Sequence, residues 1–251
     1  YVGVSVVQDE LMMEGMNEKG LSAGLFYFPD YGKYEEYSEA NYETNISDFQ
    51  LVSYILGRCA TVDEVKAEIA RVHIHGFDPR SSTVHWRFAE PSGRQIVLEI
   101  IDGKCVFYEN NLGVLTNSPS FDWQLTNLNN YVNLLPGRTE PHTLGNMSLS
   151  SFGGGSAMIG LPGDFTPPSR FVRAAFFQNT APQKPDAEGS VFTAFHILGS
   201  MEIPIGAQFP VDETPADIPS ATQCTCVTDM SGLRFYYRSM YDGGIRCIDL
   251  K

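Results

Sequence analysis

The sequence predicts an α+β fold in which layered β-sheets carry helices on their outer faces and form one domain. Hairpin-like strand segments occur in two clusters, and two pairs of helical segments accompany them. The chain has 251 residues, of which 43% are apolar and 19% charged. This composition is typical of a globular protein with enough chain to bury a sizeable core.

The first cluster of strands begins the chain. Apolar side chains recur at strand spacing over residues 2–7, 11–16 and 21–28. The turn Asn17-Glu-Lys-Gly20 joins the second strand to the third, since Gly20 can adopt the positive φ that a tight hairpin requires. A polar, tyrosine-rich loop is predicted from Pro29 to Asn45.

Two helices are predicted after this loop. Residues 47–56 carry apolar side chains at helical spacing. Thr61 then fits an N-cap, with Glu64 completing a capping box, and predicts a second helix through Val72.

The remaining elements follow the same logic. Three strands are predicted over 83–89, 95–101 and 104–108, and the turns Pro91-Ser-Gly93 and Asp102-Gly103 separate them. Helices are predicted over 122–131, from Pro168 onward and over 191–198, and strands over 222–228, 234–239 and 245–250. The segment 134–169 is rich in Gly and Pro and too long for an ordinary connection, so we expect it to have a function.

The charge balance excludes several partners. Seventeen basic residues against thirty acidic ones give a net charge of −13. A nucleic-acid binder needs a basic surface, and docking on anionic lipid needs one too. No apolar run reaches the roughly 18 residues of a spanning helix. We therefore expect neither a nucleic-acid partner nor a membrane.

Cysteines and histidines offer weak signals for metal binding. The five cysteines are an odd number and widely spread, which favours a reduced protein without disulfides. Cys224-x-Cys226 lacks a second ligand pair, so we favour two small core residues over a metal site. His73-x-His75 has ligand-like spacing, but we place it at the exposed end of the second helix. We expect no metal and no cofactor.

Other catalytic motifs are weak or missing. His85 and His196 lie in apolar segments and are interpreted as packed histidines. A spatial Ser-His-Asp triad stays open. However, Gly153-Gly-Gly-Ser-Ala-Met does not match a nucleophile elbow, and the sequence has no phosphate loop or dinucleotide fingerprint.

Asn117 and Arg170 are more informative. Asn117 lies where an apolar strand stops before Pro119, so its amide can project from a sheet end and donate to an oxyanion. Arg170 begins a helix between prolines and Phe171, where a guanidinium can hold a carboxylate or lower the pKa of a thiol. The alternatives are that Asn117 caps a turn and that Arg170 is a surface residue. Spacing alone favours these structural roles over catalytic ones.

Longer segments carry a family resemblance. The sequence resembles the choloylglycine hydrolase family, which contains bile salt hydrolases and penicillin V acylases, essentially along its whole length. The segments that carry the resemblance are Glu14-Gly-Met-Asn-Glu-Lys-Gly-Leu21, Gly113-Val-Leu-Thr-Asn-Ser-Pro119, residues 121–131, residues 160–171, Ala194-Phe-His-Ile-Leu198 and residues 235–242.

The resemblance implies a fold and a reaction. The fold is that of the N-terminal-nucleophile (Ntn) hydrolases, a four-layer αββα sandwich of two mainly antiparallel sheets. The reaction is amide hydrolysis by an N-terminal cysteine, whose thiolate attacks the carbonyl while its own α-amine acts as base. Conjugated bile salts are the implied substrates, with penicillin V as the alternative.

Three residues acquire roles from the resemblance. Asn117 corresponds to the side-chain donor of the oxyanion hole, and Arg170 supports the thiolate and orients the amine. Tyr27, just before Phe28-Pro29, corresponds to a backbone N–H donor of the oxyanion hole. Bile salt hydrolases usually have Asn at this position and penicillin V acylases often have Tyr, so Tyr27 favours the second group.

The chain also departs from the family. It begins with Tyr1, and the nucleophilic cysteine of the family lies on a segment upstream of the residues that match. We therefore expect residues 1–251 to form a single domain truncated at the N-terminus and also at the C-terminus, without acyl-transfer activity of its own. A non-catalytic ligand-binding relative is the alternative from another class.

Further expectations concern substrate, assembly and location. An acidic protein does not attract anionic bile salts at long range, so recognition is expected to be mainly hydrophobic. The aromatic residues expected to bind substrate are Phe26, Tyr27, Phe28, Tyr31 and Tyr34. The segment 134–161 resembles the loop through which family members form tetramers, which predicts a homotetramer. Reduced cysteines agree with a cytoplasmic location.

Overall fold

The computed structural model describes residues 1–6, 8–78, 82–210, 212 and 220–251. Val7, which ends the first predicted strand, lies outside the described residues. The β-strands in chain order are β1 (Val2–Val6), β2 (Gln8–Met16), β3 (Ser22–Tyr27), β4 (Asn45–Ser47), β5 (His73–His75), β6 (Val84–Ala89), β7 (Gln95–Ile101), β8 (Lys104–Glu109), β9 (His142–Leu144), β10 (Met147–Leu149), β11 (Cys224–Asp229), β12 (Arg234–Ser239) and β13 (Asp242–Asp249). The α-helices are α1 (Leu51–Leu56), α2 (Val62–Ile69), α3 (Phe121–Asn127), α4 (Pro167–Thr180) and α5 (Ala187–Gly199).

The main sheet contains six antiparallel strands in the order β1-β2-β3-β6-β7-β8. Hairpins connect its neighbours as predicted, with Gly20 at φ 80° between β2 and β3 and Gly103 at φ 71° between β7 and β8. The pairing of β3 with β6, from Ser22 opposite Ala89 to Tyr27 opposite Val84, joins the first strand cluster to the second.

One face of this sheet is covered by α1 and α2. Alternate residues of the central strands, such as Leu25, Trp86 and Leu98, project to this face and are almost fully buried. Val52 of α1 and Val65 of α2 pack in the same cluster. Burial of such apolar side chains supplies the main driving force for this half of the fold.

The opposite face bounds a cavity. Phe121 of α3 and Phe171 of α4 pack against Val97 of β7 at one end. A second antiparallel sheet, β11-β12-β13, lies across the cavity, and α5 packs on β11. The order of layers is therefore helices, sheet, sheet, helices. This α+β architecture confirms the predicted fold class.

Two sequence predictions need correction around α2. Thr61 caps the helix by accepting the Glu64 N–H at 3.2 Å, as predicted, but the helix ends at Ile69 rather than Val72. His73 and His75 consequently lie in β5, which pairs in parallel with β4, and not at a helix end. Hydrogen bonding to β4 prevailed over continuation of the apolar pattern.

The long segment 134–169 contains the β9–β10 hairpin and one 3₁₀ turn, Ser156–Met158. Several of its large apolar side chains are exposed: Leu135, Leu144, Met147, Phe152 and Ile159. Single exposed apolar residues are ordinary, and several on one segment are the feature to which the predicted function of this segment applies.

Among the described residues, none of the helices combines the length and the apolarity that crossing a bilayer requires.

Asn17 holds the β2–β3 turn in place. Its side-chain amide donates to the carbonyls of Leu56 and Cys59 at 2.9 and 2.7 Å, and its Oδ1 accepts the N–H groups of Lys19 and Leu21, both at 3.0 Å. We expect Asn17→Ala to lower the free energy of unfolding by roughly 2–4 kcal/mol, because buried backbone groups lose their partners. Urea unfolding measures this loss.

The matched control is Asn111→Ala, which removes an exposed asparagine. Its effect should stay within about 0.5 kcal/mol of the wild type. Equal unfolding midpoints for the two variants would contradict the role assigned to Asn17.

Candidate active site

Asn117 and Arg170 meet at the end of the cavity. Asn117 precedes the cis Ser118–Pro119 peptide, and Arg170 lies in the first turn of α4. The Arg170 Nη2 lies 2.7 Å from the Asn117 Oδ1. A guanidinium only donates, so the amide oxygen must face Arg170 and the Nδ2 group must point away from it. Within the described residues, Nδ2 has no hydrogen-bond acceptor and is available to a ligand.

The N-terminus of α4 positions Arg170. The Asp164 carboxylate accepts the Thr166 N–H at 2.9 Å and the Ser169 hydroxyl at 2.6 Å. The hydrogen bonds from Ser169 and Thr166 lower the pKa of Asp164 to about 2. The Nε of Arg170 donates to the Phe165 carbonyl at 3.0 Å. The loop before α4 thus holds Nε of the guanidinium, and Asn117 holds Nη2.

The cavity has a volume of about 560 Å³ and is locally cationic at Arg170. The other three charged residues in its wall are paired: Arg87 with Glu14 at 2.8 Å, and Glu202 with Arg238 at 2.6 Å. Arg170 forms no salt bridge with a carboxylate in the described part of the chain.

The charge of Arg170 persists in this environment. Burial, and then the nearby Arg173, lower the pKa of Arg170. A guanidinium nevertheless remains protonated at neutral pH. An unpaired, partly buried cation is suited to bind an anion or to stabilise a thiolate.

The backbone N–H of Tyr27 lies on an unpaired edge of β3. The Phe28 N–H donates to the Thr83 carbonyl at 2.7 Å, so the Tyr27–Val84 pair is a non-hydrogen-bonded pair of the antiparallel ladder. The Tyr27 N–H therefore points towards β2, which pairs with β3 only at Ser22–Gly24. In the part of the chain that the structure describes, no acceptor is found for this N–H, so it can donate to a ligand.

A short hydrogen bond connects the end of β3 to the Asn117 segment. The Ser118 hydroxyl donates to the Pro29 carbonyl at 2.7 Å. Ser118 follows Asn117 directly, and Pro29 lies two residues after Tyr27. Through this hydrogen bond and the Arg170–Asn117 contact, the segments that carry the three predicted catalytic residues are connected to one another.

The predicted aromatic residues divide into two groups. Phe26 lines the cavity, and Tyr27 and Tyr31 are about half exposed, at 49% and 45%. Phe28 has no exposed surface, because its ring stacks on His85 with 4.4 Å between centroids. The Tyr34 hydroxyl bonds the backbone of Val84 and packs against the core. As a correction, Phe28 supports the fold and offers no open ligand surface, whereas Tyr34 is partly buried and packs against the core.

Comparison with known proteins identifies the family. Residues 1–251 match the family described as linear amide C–N hydrolases, choloylglycine hydrolase family. The chain belongs to the choloylglycine hydrolase family.

Individual relatives agree with this assignment. The chain is 34% identical to a bile salt hydrolase/transferase from Clostridium perfringens, over 99% of this chain and 76% of that protein. It is 29% identical to a penicillin V acylase from Pectobacterium atrosepticum, over 95% of this chain and 61% of that protein. A crystal structure of a variant conjugated bile acid hydrolase from Clostridium perfringens superposes with a TM-score of 0.84 at 33% identity, covering 99% of this chain and 76% of that one.

In this member of the family, two cysteines line the cavity. The Sγ atoms of Cys224 and Cys226 lie 3.5 Å apart on one face of β11. Their mutual hydrogen bond lowers the pKa of Cys224 to about 7 and raises that of Cys226. No cluster of three or more potential metal ligands occurs among the described residues.

One buried pair next to the site was only half predicted. His85 is fully buried, as expected for a packed histidine, but its partner Glu99 was not singled out. The Glu99 Oε1 lies 3.1 Å from the His85 Nδ1. A usable signal was present, since Glu99 interrupts the apolar run Ile96-Val-Leu-Glu-Ile-Ile101.

We call the hydrogen bonds from the Thr166 N–H and the Ser169 hydroxyl to the Asp164 carboxylate the Asp164 cap. This cap predicts that the free energy of unfolding depends on pH. A folded-state pKa of about 2, below the usual 3.8, stabilises the fold above pH 4, and this contribution disappears as the pH falls through 2. Asp164→Asn keeps an acceptor but has no charge to titrate. We therefore expect the variant to be less stable at pH 6 and to approach the wild type near pH 2, as measured by urea midpoints.

Asp9→Asn provides the control, since this aspartate is exposed and remote from α4. It should not reproduce the convergence at low pH. If the urea midpoints of Asp164→Asn and the wild type differ by the same amount at every pH, the Asp164 cap does not have the role proposed for it.

Proposed function

We propose that this protein hydrolyses the amide bond of glycine- or taurine-conjugated bile salts, as an Ntn cysteine amidase. The observation that carries the proposal is the 2.7 Å contact between Arg170 and Asn117, which leaves the amide Nδ2 without an acceptor among the described residues. The Ser118–Pro29 hydrogen bond connects this segment to the end of β3, where Tyr27 lies. Two convergent donors form an oxyanion hole for a tetrahedral intermediate. Membership of a family of linear amide hydrolases supports this chemistry.

The proposed reaction has two steps. A cysteine thiolate adds to the amide carbonyl, and the oxyanion is stabilised by Asn117 Nδ2 and the Tyr27 N–H. The C–N bond then breaks, the amine leaves with the proton held by the α-amine of the nucleophile, and an acyl-enzyme remains. Water hydrolyses the thioester and releases the bile acid. Arg170 stabilises the thiolate electrostatically.

The reaction needs a cysteine with a free α-amine. None of the five cysteines in the sequence has one, because all lie within the chain. We therefore assign the nucleophile to a processed N-terminal cysteine, as the resemblance implies. Cys224 and Cys226 lie in the cavity wall without a base of this kind.

The shape and polarity of the site support a bile salt as substrate. Phe26 lines the cavity, and Tyr27 and Tyr31 present half-exposed rings at its end of the sheet. These apolar surfaces suit a steroid body. Arg170 provides the positive charge that an anionic conjugate requires.

Penicillin V acylase activity is the second candidate. Tyr27 favours it, since penicillin V acylases often have Tyr at this position, and a relative with that name is 29% identical. The products would be phenoxyacetate and 6-aminopenicillanate. A non-catalytic ligand-binding role is the third candidate.

The decisive experiment assays the complete gene product with glycocholate, taurocholate and penicillin V. We expect release of cholate to exceed release of phenoxyacetate. We expect Asn117→Ala to lower kcat by about 10²–10³-fold with little change in KM, because the oxyanion exists only in the transition state and intermediate. Initial rates over a range of substrate concentrations separate kcat from KM.

Asn111→Ala is the matched control and should retain the wild-type kcat. Faster release of phenoxyacetate would select the second candidate. Binding of glycocholate by calorimetry without turnover would select the third. A wild-type kcat in Asn117→Ala would exclude this amide from the oxyanion hole.

We also propose that the segment 134–161 assembles the protein into a homotetramer. The segment exposes Leu135, Leu144, Met147, Phe152 and Ile159, and Phe152 has no contact that covers its ring. Burial of such side chains in an interface removes apolar surface from water.

For this assembly, we expect Leu144→Ser combined with Phe152→Ser to lower the molar mass below that of a tetramer. Light scattering coupled to size-exclusion chromatography measures the mass. Tyr42→Ser, an exposed aromatic outside the segment, should leave the mass unchanged. A wild-type protein that elutes as a monomer would overturn the assembly proposal.

A cytoplasmic location belongs to the same proposal. The five cysteines are free thiols in the structure. Free thiols persist in the reducing environment of the cytoplasm, which supports this location.

A further inference from the structure

Two buried ionisable side chains lie directly behind the oxyanion site. His85 of β6 and Glu99 of β7 have no exposed surface. They lie one position beyond the Trp86–Leu98 pair, on the sheet face that bounds the cavity. Nδ1 of His85 and Oε1 of Glu99 are 3.1 Å apart, so a hydrogen bond joins the two side chains.

The second contact of each side chain reaches the segment that contains Asn117. Nε2 of His85 donates to the Thr116 carbonyl at 2.7 Å, and Thr116 directly precedes Asn117. Oε1 of Glu99 accepts the Phe121 N–H at 2.8 Å, at the first residue of α3. The pair therefore fixes both ends of the segment 116–121.

The same segment is connected to α4. The Thr116 hydroxyl donates to the Pro167 carbonyl at 3.0 Å, one helical turn before Arg170. A shift of Thr116 would consequently change the position of the Asn117 amide relative to the guanidinium that orients it.

Burial of this pair costs free energy, and filling the space does not require ionisable side chains. Apolar residues of similar size would fill the space without desolvating ionisable groups, and such replacements are often neutral or stabilising. Only the polar pair fixes the direction of the Thr116 carbonyl and the Phe121 N–H. Its specific contribution is therefore orientation of the backbone.

We infer that His85 and Glu99 are positioning residues, which act through Thr116 to hold the Asn117 amide in its oxyanion-binding orientation. The inference rests on the proposed function. Neither side chain contacts the reacting atoms in this arrangement, and both act through the backbone. Misplacement of a catalytic group by about 1 Å can cost on the order of 10²-fold in rate.

The test is a double-mutant cycle on the amide that the complete gene product hydrolyses. Glu99→Leu and His85→Phe should each lower kcat by roughly 10–100-fold, with KM within about twofold. Glu99→Gln retains an acceptor for Phe121 and should recover most of the activity. In the Asn117→Ala background, Glu99→Leu should cause no further loss.

Multiplicative losses in this cycle would overturn the inference, because they would show that the pair does not act through Asn117. An increase in KM without a fall in kcat would also overturn the inference. Urea midpoints report whether each variant folds. If neither Glu99→Leu nor His85→Phe folds, the pair supports the sheet and the inference fails.

A second measurement separates this inference from the proposed function. The Asn117 side-chain ¹H–¹⁵N signals, assigned by their loss in Asn117→Ala, should shift in Glu99→Leu and stay in place in Glu99→Gln. Signals that do not move would refute positioning even in an active enzyme. Hydrolysis of neither glycocholate nor penicillin V would refute the function, and the signal shift would then decide positioning by itself.

Discussion

The hydrogen bond from Arg170 to the Asn117 amide oxygen is the contact on which the site depends. A free asparagine presents oxygen and nitrogen with equal ease, and only the nitrogen can stabilise an oxyanion. The guanidinium, which has donors alone, removes that ambiguity at 2.7 Å. One cation therefore both orients a neutral donor and supplies a positive field to the cavity.

This contact is supported from two independent parts of the fold. The Asp164 cap fixes the first turn of α4 and with it Arg170. The buried pair of His85 and Glu99 fixes the backbone on either side of Asn117. The antiparallel alternation of β3 and β6 adds the Tyr27 N–H without any special side chain. Preorganisation of this kind is what a site needs to stabilise charge that develops during a reaction.

The sequence predicted the secondary-structure elements better than the surroundings of individual side chains, and the catalytic roles of Asn117, Arg170 and Tyr27 stay predictions. Periodicity located most of the strands and helices. The strand predicted before Asn117 is absent, because residues 110–120 form a connection between β8 and α3, and Asn117 lies in that connection and not at a sheet end. Periodicity cannot tell which ring of an aromatic cluster turns inward, and Phe28 is buried because His85 offers a stacking partner from a distant strand. His73 and His75 leave the predicted helix because pairing with β4 is a long-range contact. Local patterns do not contain such contacts.

The electrostatics of the cavity resolve the apparent conflict between a net charge of −13 and an anionic ligand. Charges on the surface are screened beyond about 8 Å at physiological ionic strength, so the net charge mainly affects the rate of encounter. Inside the cavity, Arg87 and Glu202 are neutralised by their own partners, and Arg170 is left without a carboxylate among the described residues. Screening is weak there, because burial lowers the local dielectric. Under the proposed function, one local cation and apolar walls set the affinity for an anion with an apolar body, and the acidic surface limits the rate at which that ligand arrives.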